Sequence, residues 1–375
     1  MKKILMAMAG LMAFATGWAD DATPWEYVDA TDLRIINRGW DSTSSPYTRL
    51  PAYLQDSVRT DLWQRQSCSS GIAVRFATNS TRVGIKYQLT YDTHMIHMAD
   101  TGLKGADLYI WDPEATAGAN GNKWMHVNCI RPYLKDKENK IVESTFVENL
   151  SGEMQEFMVY LPLYDGVEQM WIKVDSAATI TDGSLELISP AKKVVAYGTS
   201  ILQGGCASRP GMCGTSILSR ELNCEVINLG FSGEGKLDSC VARAMATIPD
   251  VDVFVIDPVP NCTYIMCDSL TYGFVDILRS QCPDAKIVMV EGPLYPYSRY
   301  NSYFADYLPL KNEYFRKNFE LLAAENPNNI YYVTAEGLDG PEDDGTVDGI
   351  HLTDLGFRHY ANKLMPVLYP LLYGE

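Results

Sequence analysis

The apolar pattern of this 375-residue chain changes period near residue 190, and that change sets the architecture. Before it, apolar and polar residues alternate at every second position. The clearest runs are Ile72 to Thr78, Arg82 to Leu89, Ala106 to Trp111, Glu156 to Leu163 and Gln169 to Val174. Period two sends successive side chains to opposite faces, so these runs read as half-buried strands. Turn formers separate them at Asn79-Ser80, Gly118-Ala119-Asn120-Gly121 and Tyr164-Asp165-Gly166. No stretch of this half shows a helical period. Many short strands with regular turns predict an all-β, jelly-roll-like sandwich over residues 20–188.

A short linker follows at 187–192, and residues 192–375 follow a different rule. Compact apolar runs at Lys193–Tyr197, Glu225–Leu229, Asp252–Ile256, Lys286–Val290 and Ile330–Thr334 alternate with helix-like stretches. The helices are expected at about 214–222, 237–248, 265–281, 308–325 and 354–370. Continuously apolar strands separated by helices require a parallel sheet covered on both faces. Five of them fit a flavodoxin-like, three-layer α/β fold.

The N-terminus carries a targeting pattern. Lys2 and Lys3 precede an apolar run from Ile4 to Gly17, and Gly17-Trp18-Ala19 places small residues at the −3 and −1 positions of a cleavage site. This predicts a signal peptide over residues 1–19 and a periplasmic or secreted protein. The run is shorter than the roughly 20 residues of a spanning helix, so no membrane span is expected. A hydrophobic fraction of 46% excludes a mainly disordered chain. The excess of 47 acidic over 31 basic residues argues against nucleic acid and anionic membrane as partners. Export permits disulfides among the nine cysteines, with Cys206/Cys213 and Cys262/Cys267 as close pairs and one thiol left over.

Ligands of an open α/β sheet bind beyond the carboxyl ends of its strands. There the chain carries Gly198-Thr199-Ser200-Ile201, Gly230-Phe231-Ser232-Gly233, Asp257-Pro258-Val259-Pro260-Asn261, Glu291-Gly292-Pro293 and Asp348-Gly349-Ile350-His351. A hydroxyl, a base, an acid to orient it and amide donors are the four roles that acyl transfer needs. Ser200 reads either as a nucleophile or as a helix cap. Gly214 to Leu218 repeats Gly198 to Leu202 letter for letter, but follows no strand, so Ser216 is expected to be an ordinary cap. Of the five histidines only His351 stands on a loop after a strand, and Asp348 three residues earlier is placed to fix its tautomer. His94 and His97 share a strand-like i,i+3 spacing that points them apart, so no metal site is expected. The glycine-rich run lacks the Lys-Ser/Thr of a phosphate loop, and no cofactor is expected.

Ser200, Gly233, Asn261 and His351, in this order on a five-stranded α/β domain, resemble the four blocks of the SGNH (GDSL-like) hydrolases. The stretch Gly198 to Met212 is similar to a bacterial subgroup with Gly-Thr-Ser-Ile in the nucleophile block. Gly105-Ala106-Asp107-Leu108-Tyr109 resembles the Gly-x-Asp-Leu-Tyr signature of the β domain that precedes such hydrolases. The resemblance implies Ser200 as nucleophile, His351 as base and Asp348 as its partner. It also implies an oxyanion hole of Ser200, Gly233 and Asn261. Thr199 stands where the wider family has Asp, and Val259-Pro260-Asn261 where it has Gly-x-Asn. Asp257 and Glu291 remain rival carboxylates. The substrate implied is an acylated carbohydrate, with Arg209 and Tyr295 as candidate substrate contacts. Trp40, Trp63, Trp111, Tyr297 and Tyr300 are either sugar-stacking or packing residues. A lipase, a thioesterase and a carbohydrate-binding protein with an inactive hydrolase-like domain are the alternatives.

Overall fold

The computed structural model describes residues 23–116, 121–184, 187, 189–341 and 343–374. The expected leader 1–19, residues 118–120 of the expected turn, Ile188 of the linker and Glu342 lie outside the described residues.

The first half builds two antiparallel sheets. Its strands are β1 (Trp25–Asp29), β2 (Arg34–Ile36), β3 (Ala73–Thr78), β4 (Val83–Leu89), β5 (Asp107–Trp111), β6 (Trp124–Cys129), β7 (Leu134–Asp136), β8 (Ile141–Val147), β9 (Gln155–Tyr160), β10 (Val167–Asp175) and β11 (Ile180–Thr181). One sheet runs β1-β10-β4-β8-β7, the other β11-β3-β9-β5-β6 with β2 beside β3. Along β4, Val83, Ile85, Tyr87 and Leu89 are buried while Lys86 and Gln88 are not, the period-two pattern of a half-buried strand. Ile85 and Ile172 from one sheet and Val74, Phe76, Phe157 and Val159 from the other share a single core, so the sheets form a sandwich.

Two short helices depart from the expectation of none: α1 (Thr60–Gln66) and α2 (Asp100–Leu103). α1 buries only Leu62 and Gln66, too few residues to print a helical period. Its surroundings also cross the expected division of the chain. Trp40, Leu50, Leu54 and Leu62 are buried with Tyr197, Phe231, Val241 and Ile248 of the second half. The buried Arg49 guanidinium donates to the carbonyls of Gly230 (2.6 Å) and Cys68 (2.7 Å), and burial lowers its pKa to about 10. Trp40, Leu50, Leu54 and Leu62 therefore belong to the core of the second sheet, although they precede most of the sandwich, whereas Tyr47 among them packs in the sandwich core.

That second sheet contains β12 (Ser189–Gly198), β13 (Cys224–Gly230), β14 (Val253–Asp257), β15 (Lys286–Val290) and β16 (Ile330–Val333), all parallel, in the order β13-β12-β14-β15-β16. This is the doubly wound order with a switch point beside the first strand. β12 starts inside the expected linker, because Ser189 pairs with Cys224. The helices are α3 (Ser200–Gln203), α4 (Gly214–Leu222), α5 (Ser239–Met245), α6 (Tyr264–Gln281), α7 (Ser302–Glu325) and α8 (Asp354–Tyr373). Val194 and Ala196 face α4 and α8, whereas Val195 and Tyr197 face the core under α5, α6 and α7. α7 begins earlier than its pattern suggests. Asn301 caps it, and in its first turns Phe304 and Leu308 pack on the core while Tyr303 faces solvent.

All nine cysteines are free thiols, so neither expected bridge is present. Cys213 Sγ turns to the Leu202 carbonyl at 3.4 Å and Cys206 Sγ to the His97 carbonyl at 3.3 Å, which separates that pair. Cys262 and Cys267 are free as well. Among the described residues no helix is long and apolar enough to cross a membrane.

Candidate active site

β12 runs straight into a helix start. Gly198 ends the strand where a Cβ would lie 2.7 Å from the Asp257 carbonyl, so only glycine fits. Thr199 is the N-cap of α3 and its Oγ1 accepts from Ile201 N at 3.3 Å. The cap role therefore falls to Thr199, and Ser200 is the first helical residue. A backbone N–H at that position has no partner within its helix. α3 lasts one turn before Gly204 reverses it at φ 99°. The Ser200 carbonyl accepts from Gly205 N at 2.8 Å and from Tyr164 Oη at 3.2 Å, which fixes the turn.

Asp348 and His351 arrive on the loop between β16 and α8. Asp348 Oδ1 accepts from the backbone N–H of Ile350 (3.0 Å) and of His351 (2.8 Å), a local turn that needs an Asp three residues before the histidine. Its Oδ2 accepts from His351 Nδ1 at 2.8 Å, and His351 Nε2 lies 2.9 Å from Ser200 Oγ. Burial works to raise the Asp348 carboxyl. The hydrogen bonds from the His351 ring and backbone outweigh it and hold the group below the ordinary carboxylate range. An ionised Asp348 only accepts, so Nδ1 carries the proton and Nε2 offers a lone pair to the Ser200 hydroxyl. The His351 ring packs on Gly205, where a Cβ would lie 2.9 Å from its Cδ2.

Gly233 and Asn261 stand beyond the two strands that flank β12. Gly198 registers with Gly230 of β13 and with Asp257 of β14, so all three loops leave one edge side by side. Phe231 N donates to the Gly198 carbonyl at 3.0 Å and Ser232 N to Gln203 Oε1 at 2.8 Å, lacing the β13 turn to α3. Gly233 has φ 74° and open space on its side-chain side. Asn261 closes a 3-10 turn, Val259–Asn261, which holds it despite the missing glycine, and its Oδ1 is enclosed without a partner among the described residues.

Other expected residues are placed elsewhere. Arg209 donates to Asp107 Oδ2 and to Tyr109 Oη, both at 2.7 Å, so it ties the Gly-x-Asp-Leu-Tyr signature to the loop before α4 rather than facing Ser200. Asp107 Oδ2 also accepts from Gly211 N at 2.8 Å. Tyr295 is 5% exposed and stacks on Tyr297, so it is a packing residue. Tyr297 is the ring beside the loop: a Cβ on Gly349 would lie 3.0 Å from it. Trp40 is buried, Trp63 packs against the same core and Trp111 packs on Trp124, whereas Tyr300 is exposed. Asp257 accepts from Tyr360 Oη at 2.8 Å and Glu291 is engaged by Arg316 and Tyr332, so neither rival is joined to His351. Ser216 is no cap: it lies inside α4, 1% exposed.

His94 and His97 lie on a loop, not a strand, so the period-two argument does not apply to them. His94 pairs with Asp100 at 3.0 Å, while the His97 ring lies 5.5 Å from that of His351. Tyr164, Gly205, Cys206 and His97 thus border the site unforeseen. Tyr164 and His97 come from distant sequence, and Gly205 and Cys206 carry no pattern of their own.

Residues 191–369 match the model of the GDSL-like lipase/acylhydrolase family, and residues 25–180 match that of the N-terminus of SGNH-hydrolase-type esterases. No curated protein matches the chain. Among solved structures, a protein from Bacteroides ovatus described as a GDSL-like lipase is 30% identical, with a TM-score of 0.84 over 93% of this chain and 98% of that one. The salicylyl-acyltransferase SsfX3 of a tetracycline biosynthetic pathway shares the fold at 17% identity and a TM-score of 0.71, covering 94% and 98%. A family two carbohydrate esterase from Cellvibrio japonicus shares it at 12% identity and a TM-score of 0.56, covering 93% and 98%. A likeness that runs through both halves in one order shows that this chain belongs to the SGNH (GDSL-like) hydrolase family, with its Gly-x-Asp-Leu-Tyr domain in front.

Proposed function

We propose that this chain is an exported serine esterase that removes small acyl groups, acetyl above all, from carbohydrate. One observation carries the reading: the unbroken hydrogen-bonded chain from Ser200 Oγ through the His351 ring to Asp348 Oδ2. In the proposed reaction the Ser200 oxygen attacks the ester carbonyl while its proton passes to His351 Nε2. The negative charge that forms on the carbonyl oxygen is met by the Ser200 and Gly233 N–H groups and the Asn261 side-chain amide. His351 then gives its proton to the sugar oxygen as its bond to the acyl carbon breaks, leaving an acyl-serine and a free sugar hydroxyl. Water, deprotonated by the same nitrogen, attacks that ester, and the proton returns to Ser200 Oγ as the acid leaves. Asp348 stays ionised throughout, and no cofactor takes part.

Ser200 is 6% exposed between Tyr164 and Gly205, a narrow setting that supports a short acyl chain. The carbohydrate is supported by the fold shared with the Cellvibrio japonicus esterase. The segment after β15 adds support, since Tyr297 borders the His351 loop and Tyr300 and Tyr303 are exposed. Flat, exposed rings of this kind stack on sugars. The test is acetate release from a panel of acetylated polysaccharides. Wild type should release acetate and Ser200→Ala should not. A wild type that cleaves neither these nor p-nitrophenyl acetate would favour a carbohydrate-binding protein. Sequencing the mature N-terminus from the periplasm or medium should read from Asp20.

A further inference from the structure

Beside Ser200, His351 and Asp348 stand two further donors that the proposed reaction leaves idle. One donor atom from each of His97, Cys206, Asp348 and His351 lies within 4.8 Å of the other three. Their meeting has a structural cause. After α3 the chain reverses through Gly204, and Cys206 takes φ 72°, which turns the thiol under the His351 loop. His97 comes from the loop between β4 and α2, and its carbonyl accepts from the Cys206 thiol at 3.3 Å. Cys206 is buried, whereas His97 and Asp348 are exposed, so the group opens to solvent on one side.

Two imidazoles, a thiol and a carboxylate are the donor types of a four-coordinate zinc site. Metal–ligand bonds of about 2.0–2.3 Å set such donors roughly 3–4 Å apart, so small side-chain movements close the set. We propose that these four side chains form a site for zinc-class cations, and that filling it shuts off hydrolysis. The site rests on geometry; only its effect on hydrolysis rests on the esterase reading. His351 spends both ring nitrogens on the triad, Nδ1 toward Asp348 and Nε2 toward Ser200. A cation that takes either nitrogen removes a hydrogen bond the reaction needs, so metal and turnover exclude each other. On binding, Cys206 releases its proton to solvent and gives up its bond to the His97 carbonyl. A thiolate, two neutral imidazoles and a carboxylate then supply four electron pairs, with no change of oxidation state. Mixed sulfur and nitrogen donors select Zn²⁺ and Cd²⁺ over the oxygen-seeking Mg²⁺ and Ca²⁺.

Cobalt(II) tests the site directly, because it accepts zinc geometry and shows a thiolate charge-transfer band. Wild type should give that band and lose it when Zn²⁺ is added; Cys206→Ser should give none. In parallel, Zn²⁺ should inhibit p-nitrophenyl acetate hydrolysis reversibly with EDTA, and Mg²⁺ should not. Half-inhibition should need at least about 10-fold more Zn²⁺ in Cys206→Ser and in His97→Ala. The exposed position of His97 makes the second variant safe for folding. Metal-free activity of both variants should stay within about twofold of wild type. A wild type without the band, or variants inhibited at the wild-type Zn²⁺ concentration, overturns the proposal. The band needs no turnover, so an inactive wild type that shows it would overturn the esterase reading and leave the site standing.

Discussion

Two stretches of this chain read Gly-Thr-Ser-Ile-Leu, at 198–202 and at 214–218, and the fold uses them in opposite ways. The first straddles the end of a central strand and the start of a one-turn helix, so Ser200 reaches the edge of the sheet within 2.9 Å of His351. The second lies wholly within α4, where every residue is buried. Thr215 Oγ1 accepts from Asn228 Nδ2 at 2.8 Å, and Ser216 Oγ has no partner among the described residues. The same letters therefore yield a hydroxyl bonded to a histidine ring or a packed one according to what precedes them. Both serines are buried, but the strand end sets Ser200 against the His351 loop, whereas the helix laid on the sheet face packs Ser216 into the core. Tyr360 links the two copies. A Cβ on Gly214 would lie 3.1 Å from its ring, and its hydroxyl bonds Asp257, which pairs with Gly198.

The comparison breaks most sharply at the two serines. Ser200→Ala should lower kcat on p-nitrophenyl acetate by about 10³-fold or more, with an unchanged far-ultraviolet spectrum. Retained activity would falsify the role of the first copy. Next in size is Gly205→Ala, which sets a methyl against the His351 ring and should cost about 10²-fold in kcat by misplacing it. Wild-type kcat in that variant would show that the ring tolerates displacement.

The link through Tyr360 has a pH signature. Burial pushes the Asp257 carboxyl up to about 8, partly offset by the Tyr360 hydroxyl. The folded chain thus keeps a proton that the unfolded chain sheds above about pH 3.9. Stability from this group should fall as pH rises from about 4 to about 8, then level off. Asp257→Asn keeps a neutral acceptor for Tyr360 and removes that slope. Its Tm relative to wild type should be higher at pH 8 than at pH 5; an equal offset at both would show that Asp257 is ionised in the folded state. The smallest effect belongs to Ser216→Ala, which deletes an unpartnered buried hydroxyl. Activity should be unchanged and stability should shift by less than about 1 kcal/mol. A loss of activity here would end the distinction between the copies.

Much of the fold was legible because it is written in local periods. β4 shows alternation over seven residues, and β12 to β16 are apolar runs that flanking helices demand. α1 was not legible, since a seven-residue helix with two buried positions has no period to read. In the site, Asp348 and His351 were legible as a pair because a three-residue spacing closes a turn. Arg209 looked like a substrate contact from its nearness to Ser200 in sequence. Its partner is Asp107, 102 residues away, and nothing local announces that bond.

The sequence by itself determined the element types, the strand-then-helix alternation of the second half, and the order of Ser200, Gly233, Asn261 and His351. These follow from side-chain periodicity and from turn chemistry, both of which act within a few residues. Tertiary structure alone closed the contact between Ser200 and His351, which spans 151 residues. It also decided that Arg209 braces the two halves, that Trp40, Leu50, Leu54 and Leu62 complete the second core, and that His97 and Cys206 meet beside His351. Long-range contacts depend on how loops leave packed elements, and packing is settled only when the whole core closes.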